Sequence, residues 1–242
     1  MTKLSVNLNK VALVRNSRGR DEPSVREAAE TCLAAGADGI TLHPRPDQRH
    51  ARPADVVAMK ELLADRDGLE LNVEGNPFPE FMDLVLTTQP EQCTLVPDEP
   101  GALTSDHGWL LSRDANRIVP LIDQLKSAGI RVSLFMDPDL DEISIAQQVG
   151  ADRIELYTEP YAATFGTPAQ DEVFQQFDAA ARHAQTLGIG VNAGHDLNLL
   201  NLGLLLTIPN VLEVSIGHAL IADALRIGLS AAVGEYVALI NG

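Results

Sequence analysis

Ala35-Gly36-Ala37-Asp38-Gly39-Ile40-Thr41-Leu42-His43 sets the fold of this chain. A helical pattern over residues 24–35 stops on Gly36, a residue that takes the left-handed cap conformation without a Cβ penalty. A short aliphatic and β-branched run, residues 39–43, follows at once and reads as a buried strand. The same helix–Gly–strand punctuation returns at Ser127-Ala128-Gly129-Ile130, Val149-Gly150-Ala151-Asp152 and Thr186-Leu187-Gly188-Ile189. Strand candidates at residues 4–9, 39–43, 69–73, 92–96, 130–135, 153–157, 189–192 and 212–216 alternate with helical patterns. Those patterns cover residues 24–35, 54–64, 80–88, 113–127, 140–149, 171–186, 198–206 and 219–240. Eight strand–helix units in one chain of 242 residues predict a (β/α)8 TIM barrel, a single domain over residues 1–242. A doubly wound open sheet is the competing architecture, but no G-x-G-x-x-G follows the first strand.

Composition narrows the function classes. No apolar run is long enough to span a membrane and no signal peptide pattern opens the chain, so a cytoplasmic protein is expected. The net charge of −16 argues against nucleic-acid binding. Residues 1–52 nevertheless hold nine Lys+Arg against six Asp+Glu, a basic segment on an acidic protein that implies a local anion site. Cys32 and Cys93 sit in apolar contexts with no Cys or His at ligand spacing, and read as buried, reduced thiols. A metal site built from His43, His50 and His195 is not expected, since no close-spaced ligand pair sits on one element.

In a barrel of this kind chemistry gathers at the C-terminal ends of the strands. Strand 1 ends in Asn7-Leu8-Asn9-Lys10, and strand 2 in His43-Pro44-Arg45, with Arg49-His50 just beyond. Strand 3 carries Glu70, strand 6 Glu155, strand 7 ends in Asn192-Ala193-Gly194-His195-Asp196 and strand 8 in Ile216-Gly217-His218. Imidazoles can exchange protons near neutral pH, guanidinium forks match phosphates, and a carboxylate inside a strand is costly unless paired or functional. The glycine turns at Gly194 and Gly217, each ahead of a helix, suit a phosphate held by backbone N–H groups. The expected partners are therefore small phosphorylated substrates.

These residues resemble the pyridoxine 5′-phosphate synthase family. The carriers are Asn7, Arg15-Asn16-Ser17-Arg18-Gly19, the stretch from Ala35 to His43, and Arg45, Asp47 and Arg49-His50. Leu95-Val96-Pro97, Ser133-Leu134-Phe135, Val191-Asn192-Ala193-Gly194-His195 and Ile216-Gly217-His218-Ala219 continue the likeness. The resemblance implies condensation of 1-deoxy-D-xylulose 5-phosphate with 3-amino-2-oxopropyl phosphate, giving pyridoxine 5′-phosphate, phosphate and water without a cofactor. It implies His43 and Glu70 as proton acceptors, His195 as proton donor and Glu155 as the carboxylate stabilising the transition state. It further implies Asn7, Arg18, Gly217 and His218 as contacts to the aminoketone phosphate, and Arg45, His50 and Thr104 as contacts to the deoxyxylulose phosphate. A homo-oligomer, typically an octamer, is part of the same implication.

The chain departs from the family pattern in having Asn9-Lys10 where Asp-His is usual, and Asp196 where Gly is usual. These positions are expected in the substrate-contact set, and Lys10 and Asp196 are expected to compensate one another in charge across the mouth. A non-catalytic binding paralogue and a barrel aldolase or isomerase acting on phosphorylated ketoses are the competing readings. Retention of His43, Glu70, Glu155 and His195 together weighs against a mere sensor. Lys10 is the one lysine placed to serve as a Schiff base.

Overall fold

The computed structural model describes residues 1–99, 101–102 and 104–242. Eight parallel strands close in sequence order, each hydrogen-bonded to its neighbours, with the eighth returning to the first. The strands are β1 (Lys3–Asn7), β2 (Gly39–Leu42), β3 (Glu70–Gly75), β4 (Gln92–Leu95), β5 (Arg131–Met136), β6 (Arg153–Tyr157), β7 (Gly190–Gly194) and β8 (Val211–Ile216). The expected barrel is present. Gly36, Gly129, Gly150 and Gly188 all have positive φ, as helix stops require.

Period-two alternation sorts each strand between two environments. Leu4, Val6, Ile40, Leu42, Leu71, Val73, Val132, Leu134, Val214 and Ile216 are fully or almost fully buried, within one apolar core shared with the helices. Each such side chain removed from water stabilises the fold by about 1.5–3 kcal/mol. The alternate positions face the lumen, which is polar. Gln92 reaches across it to Glu213 (3.3 Å) and is met by Asn192 (3.3 Å), while Thr94 donates to Asn72 (3.0 Å) and lies 3.5 Å from Glu155. Ser5 and Thr41 hydroxyls meet at 2.6 Å. Most buried polar groups are partnered in this way, because an unpaired one is costly.

The helices are α1 (Asn9–Asn16), α2 (Val25–Ala34), α3 (Pro53–Leu63), α4 (Pro79–Thr88), α5 (Leu111–Ser127), α6 (Leu140–Gln148), α7 (Glu159–Thr164), α8 (Gln170–Thr186), α9 (Leu202–Leu205), α10 (His218–Ile227) and α11 (Leu229–Asn241). Three differences from the sequence reading have local causes. The helix expected over residues 198–206 shrinks to α9, because Asn198 and Asn201 bond nearby backbone N–H groups with their own carbonyl oxygens. The single helix expected over residues 219–240 breaks at Gly228, whose φ is 86°, into α10 and α11. α1 begins directly after β1, which ends at Asn7 instead of running to residue 9.

α1 matters for the mouth of the barrel. Arg15 is buried and ion-paired to Asp55 of α3 through both carboxylate oxygens. Asn16 donates to the carbonyls of Gln48, Arg49 and His50 (2.8–3.0 Å). Together they pin the loop after β2 against the barrel top. Among the described residues no helix is long and apolar enough to cross a membrane. Cys32 and Cys93 are both buried and unbridged, with their thiol pKa values pushed up by burial.

Candidate active site

A cavity of about 330 Å³ opens at the C-terminal ends of the strands. Its walls carry Asn7, Asn9, Lys10, His43, Arg45, His50, Thr104, Glu155, His195, Asp196, Gly217 and His218. Twelve positions singled out from the sequence thus converge on one space.

Two do not. Glu70 stands at the first residue of β3, at the opposite end of the barrel, where Lys3 (2.7 Å) and Arg131 hold its carboxylate. Those two cations offset the burial and keep its pKa below the ordinary glutamate value. The inward-facing carboxylate at the mouth is Glu74, four residues further along the same face and roughly 13 Å higher at the strand rise. Glu70 therefore lies outside this cavity, in an ion-paired cluster at the far end of the barrel, and Glu74 takes the mouth position. The sequence reading ended strand 3 at residue 73 and so left Glu74 in a loop. Arg18 is the other exception: it is exposed, two residues beyond α1, and does not reach the cavity within this chain.

Asn7 and Asn9 build the floor by a relay. The Asn7 side-chain Oδ1 accepts from the Asn9 backbone N–H (3.0 Å), and the Asn9 Oδ1 accepts from the His43 backbone N–H (2.9 Å). The Asn7 amide also donates to Glu74 (3.4 Å). His43 is thereby fixed with its Nδ1 3.9 Å from Glu74 and its Nε2 3.9 Å from Asp98. Burial first, then the positive charges of Arg45 and Arg49 and neighbouring His50, hold its pKa well below the usual histidine value. Glu74 moves the other way: burial, with Asp98 and Glu213 as like charges, pushes it up to about 8. At neutral pH the pair is a neutral imidazole beside a protonated carboxyl, one suited to accept a proton and the other to give one.

Glu155 is buried on β6 and its pKa is raised well above the usual carboxyl range by burial, then by Glu74 and Glu213. Gly194 makes room for it. A Cβ at that position would overlap Glu155 Oε1. We expect Gly194→Ala to fold but to lose at least about tenfold in kcat, because an ångström-scale displacement of a reacting group costs on that order or more. Normal circular dichroism with normal turnover would contradict it.

His195 closes the opposite side. Its Nδ1 lies 3.1 Å from Asp196 and its Nε2 2.9 Å from the Thr104 hydroxyl, with the Tyr157 ring edge-on at 5.1 Å. His195 and Asp196 both have positive φ (91° and 58°). A glycine would take that conformation freely, and aspartate is among the residues that tolerate it. His195, foremost among the causes, holds the Asp196 carboxyl below its ordinary pKa, with smaller contributions from His218 and Lys10. Asp196 thus engages His195, while Lys10 acts on Asp196 and His50 only through space.

Two sets of residues with the chemistry to hold an anion flank these groups. Arg45, buried, and His50 lie on one side; His50 is neutral, its pKa lowered to about 4 by burial, then by Lys10 and Arg45. On the other, Gly217 precedes α10, whose first turn carries no side-chain cap and no acidic residue. A Cβ on Gly217 would crowd Asn7 at 3.0 Å. Those uncapped N–H groups and the helix dipole favour a phosphate. Among the described residues no group of His, Cys, Asp and Glu could hold a metal ion. Sequence reasoning missed Glu74, Asp98, Ser105 and Tyr157. Glu74 alone had a legible signal, its even spacing from Glu70.

Solved structures of similar shape share the fold at low identity. The native KDPGal structure matches with a TM-score of 0.62 and 14% identity over 98% of this chain and 94% of that one. Phosphoribosyl anthranilate isomerase from Thermus thermophilus matches with a TM-score of 0.60 and 14% identity over 97% of this chain and 100% of that one. Closer relatives are the pyridoxine 5′-phosphate synthase of Albidiferax ferrireducens, 55% identical over 98% of this chain and 96% of its own length, and that of Xanthomonas oryzae pv. oryzae, 51% identical over 100% and 97%. The family described as pyridoxal phosphate biosynthesis protein PdxJ matches residues 4–242. With that match along nearly its whole length, and relatives more than half identical from end to end, the chain belongs to the PdxJ family.

Proposed function

We propose that this chain is a pyridoxine 5′-phosphate synthase, joining 3-amino-2-oxopropyl phosphate to 1-deoxy-D-xylulose 5-phosphate and closing the pyridine ring by acid/base catalysis. The observation that carries this reading is the gathering of His43, Glu74, Glu155 and His195 around one cavity flanked by two differently built anion sites. Joining an amine to a ketose and aromatising the product needs several proton transfers and the loss of phosphate and water. Groups held in different protonation states serve such a sequence better than one residue could.

The roles follow from position. His43, neutral, takes a proton from substrate carbon or nitrogen, and the protonated Glu74 carboxyl, 3.9 Å away, supplies one in return. Glu155, protonated in its buried pocket, donates a hydrogen bond to oxygen as charge develops there. His195, held by Asp196 and Thr104, delivers a proton to a departing oxygen. Arg45 and His50 receive the deoxyxylulose phosphate, while the N–H groups at Gly217 and His218 receive that of the aminoketone. Lys10 and Asn9 complete the wall between them.

Incubating the purified protein with both phosphates and following pyridoxine 5′-phosphate by its absorbance and mass tests the reading; substrate consumption without that product would refute it. The two anion sites should also separate kinetically. Arg45→Ala is expected to raise KM for the deoxyxylulose phosphate about tenfold, roughly 1.4 kcal/mol, with little change in KM for the aminoketone. Equal shifts in both would remove Arg45 from one specific site.

A further inference from the structure

Arg45 already has an anion on it. One guanidinium nitrogen, Nη2, lies 2.8 Å from Asp98 Oδ2, and Nη1 donates to the Ala102 carbonyl (3.1 Å). Asp98 sits just after β4 and is itself buried, 5% exposed, beside an Arg45 that is 7% exposed. The pair is not a two-point fork. Asp98 Oδ2 serves Arg45 and also accepts from the Ser105 hydroxyl (2.9 Å), while Asp98 Oδ1 and Arg45 Nε are both buried without a partner among the described residues. Arginine and carboxylate normally meet through two parallel hydrogen bonds, and an unsatisfied buried donor is costly. Arg45 therefore retains capacity that a ligand with several acceptor oxygens in different directions could use.

Asp98 can also leave without its backbone losing its place. Its carbonyl accepts from the Asn76 amide (2.9 Å), a contact independent of the carboxylate. We propose that Asp98 is an internal stand-in for the substrate phosphate: its carboxylate occupies Arg45 in the empty site and is displaced when the phosphate of the deoxyxylulose substrate arrives. Asp98 then sets the affinity of that site and makes it selective for groups more strongly anionic than a carboxylate, because only these compete for the guanidinium. Its position 3.9 Å from His43 Nε2 gives the displacement a second consequence. Binding of the phosphate moves a negative charge relative to the imidazole at the moment the site fills.

The inference rests on the reading of Arg45 as a phosphate contact, so the experiment separates the two. Binding of inorganic phosphate is measured calorimetrically for the wild type, Asp98→Asn, Arg45→Ala and the double variant, following the Arg45-dependent component. Removing a like charge from a buried anion site should tighten that component about tenfold in Asp98→Asn, and change it by less than about twofold when Arg45 is absent. Asp98→Ser, also neutral, gives the same direction should the amide fold poorly, and Asp98→Glu, which keeps the charge, gives no tightening. If Arg45→Ala binds phosphate as the wild type does, the phosphate role of Arg45 falls and the stand-in falls with it. If Arg45→Ala weakens binding while both neutral variants at Asp98 leave it unchanged or weaker, Asp98 is only a structural partner of Arg45 and the proposal is overturned.

Discussion

His195→Asn is expected to lower kcat by about 10²–10⁴ while both KM values stay within about threefold. That magnitude is the usual worth of a positioned proton donor. The expectation is specific to this geometry. Neither nitrogen of His195 is engaged by the N-terminus of α10: Nδ1 lies 3.1 Å from Asp196 and Nε2 2.9 Å from Thr104. Asparagine keeps hydrogen-bonding capacity and polarity but cannot carry the proton. A variant retaining more than about a third of wild-type kcat would remove His195 from the chemistry, and a large rise in KM with unchanged kcat would make it a binding residue instead.

Glu74→Gln should be comparably damaging to turnover and should also stabilise the protein at alkaline pH. Glu74 binds a proton in the folded state up to about 8 and in the unfolded state only near 4.5. Between those values the native state holds more protons than the unfolded state, so stability falls as pH rises through that window and levels off above it. Glutamine imitates the protonated carboxyl and has no proton to lose. The melting temperature of Glu74→Gln should match the wild type near pH 4.5 and exceed it increasingly toward pH 8, with kcat down by about 10²–10⁴ throughout. Parallel melting curves across that range would mean that Glu74 is ionised in the native protein, against the burial and like charges around it.

Much of the site was legible in the sequence because barrel topology converts strand-end residues into neighbours. His43, His195 and His218 lie 23 to 175 residues apart in sequence, yet a closed parallel sheet brings all three strand ends to one rim. The glycine stops mark where half of the strands begin, and periodicity supplies the rest of the eight units. Strand ends were harder. Glu70, named from the strand reading and from the resemblance, falls inside a strand read at residues 69–73 that stops short of Glu74; the strand runs from Glu70 to Gly75, and only pairing with β4 shows where the sheet continues. The direction of the strand then decides everything, since it separates a carboxylate among Lys3 and Arg131 from one beside His43. Asp98 had no local signal at all. Its importance comes from a contact with Arg45 across 53 positions of sequence, made by a loop with no periodicity to read. Arg18, placed by resemblance alone, lies outside the cavity that this chain forms by itself.

The most direct test of the account compares pyridoxine 5′-phosphate formation by Glu70→Gln and Glu74→Gln under identical saturating conditions. The two carboxylates share one face of one strand and differ only in which end of the barrel they occupy. The account predicts that Glu70→Gln keeps kcat within about threefold of wild type while losing some thermal stability with its ion pairs, and that Glu74→Gln falls by about 10²–10⁴. Full activity in Glu74→Gln with loss of activity in a folded Glu70→Gln would place the chemistry at the wrong end of the barrel and contradict it.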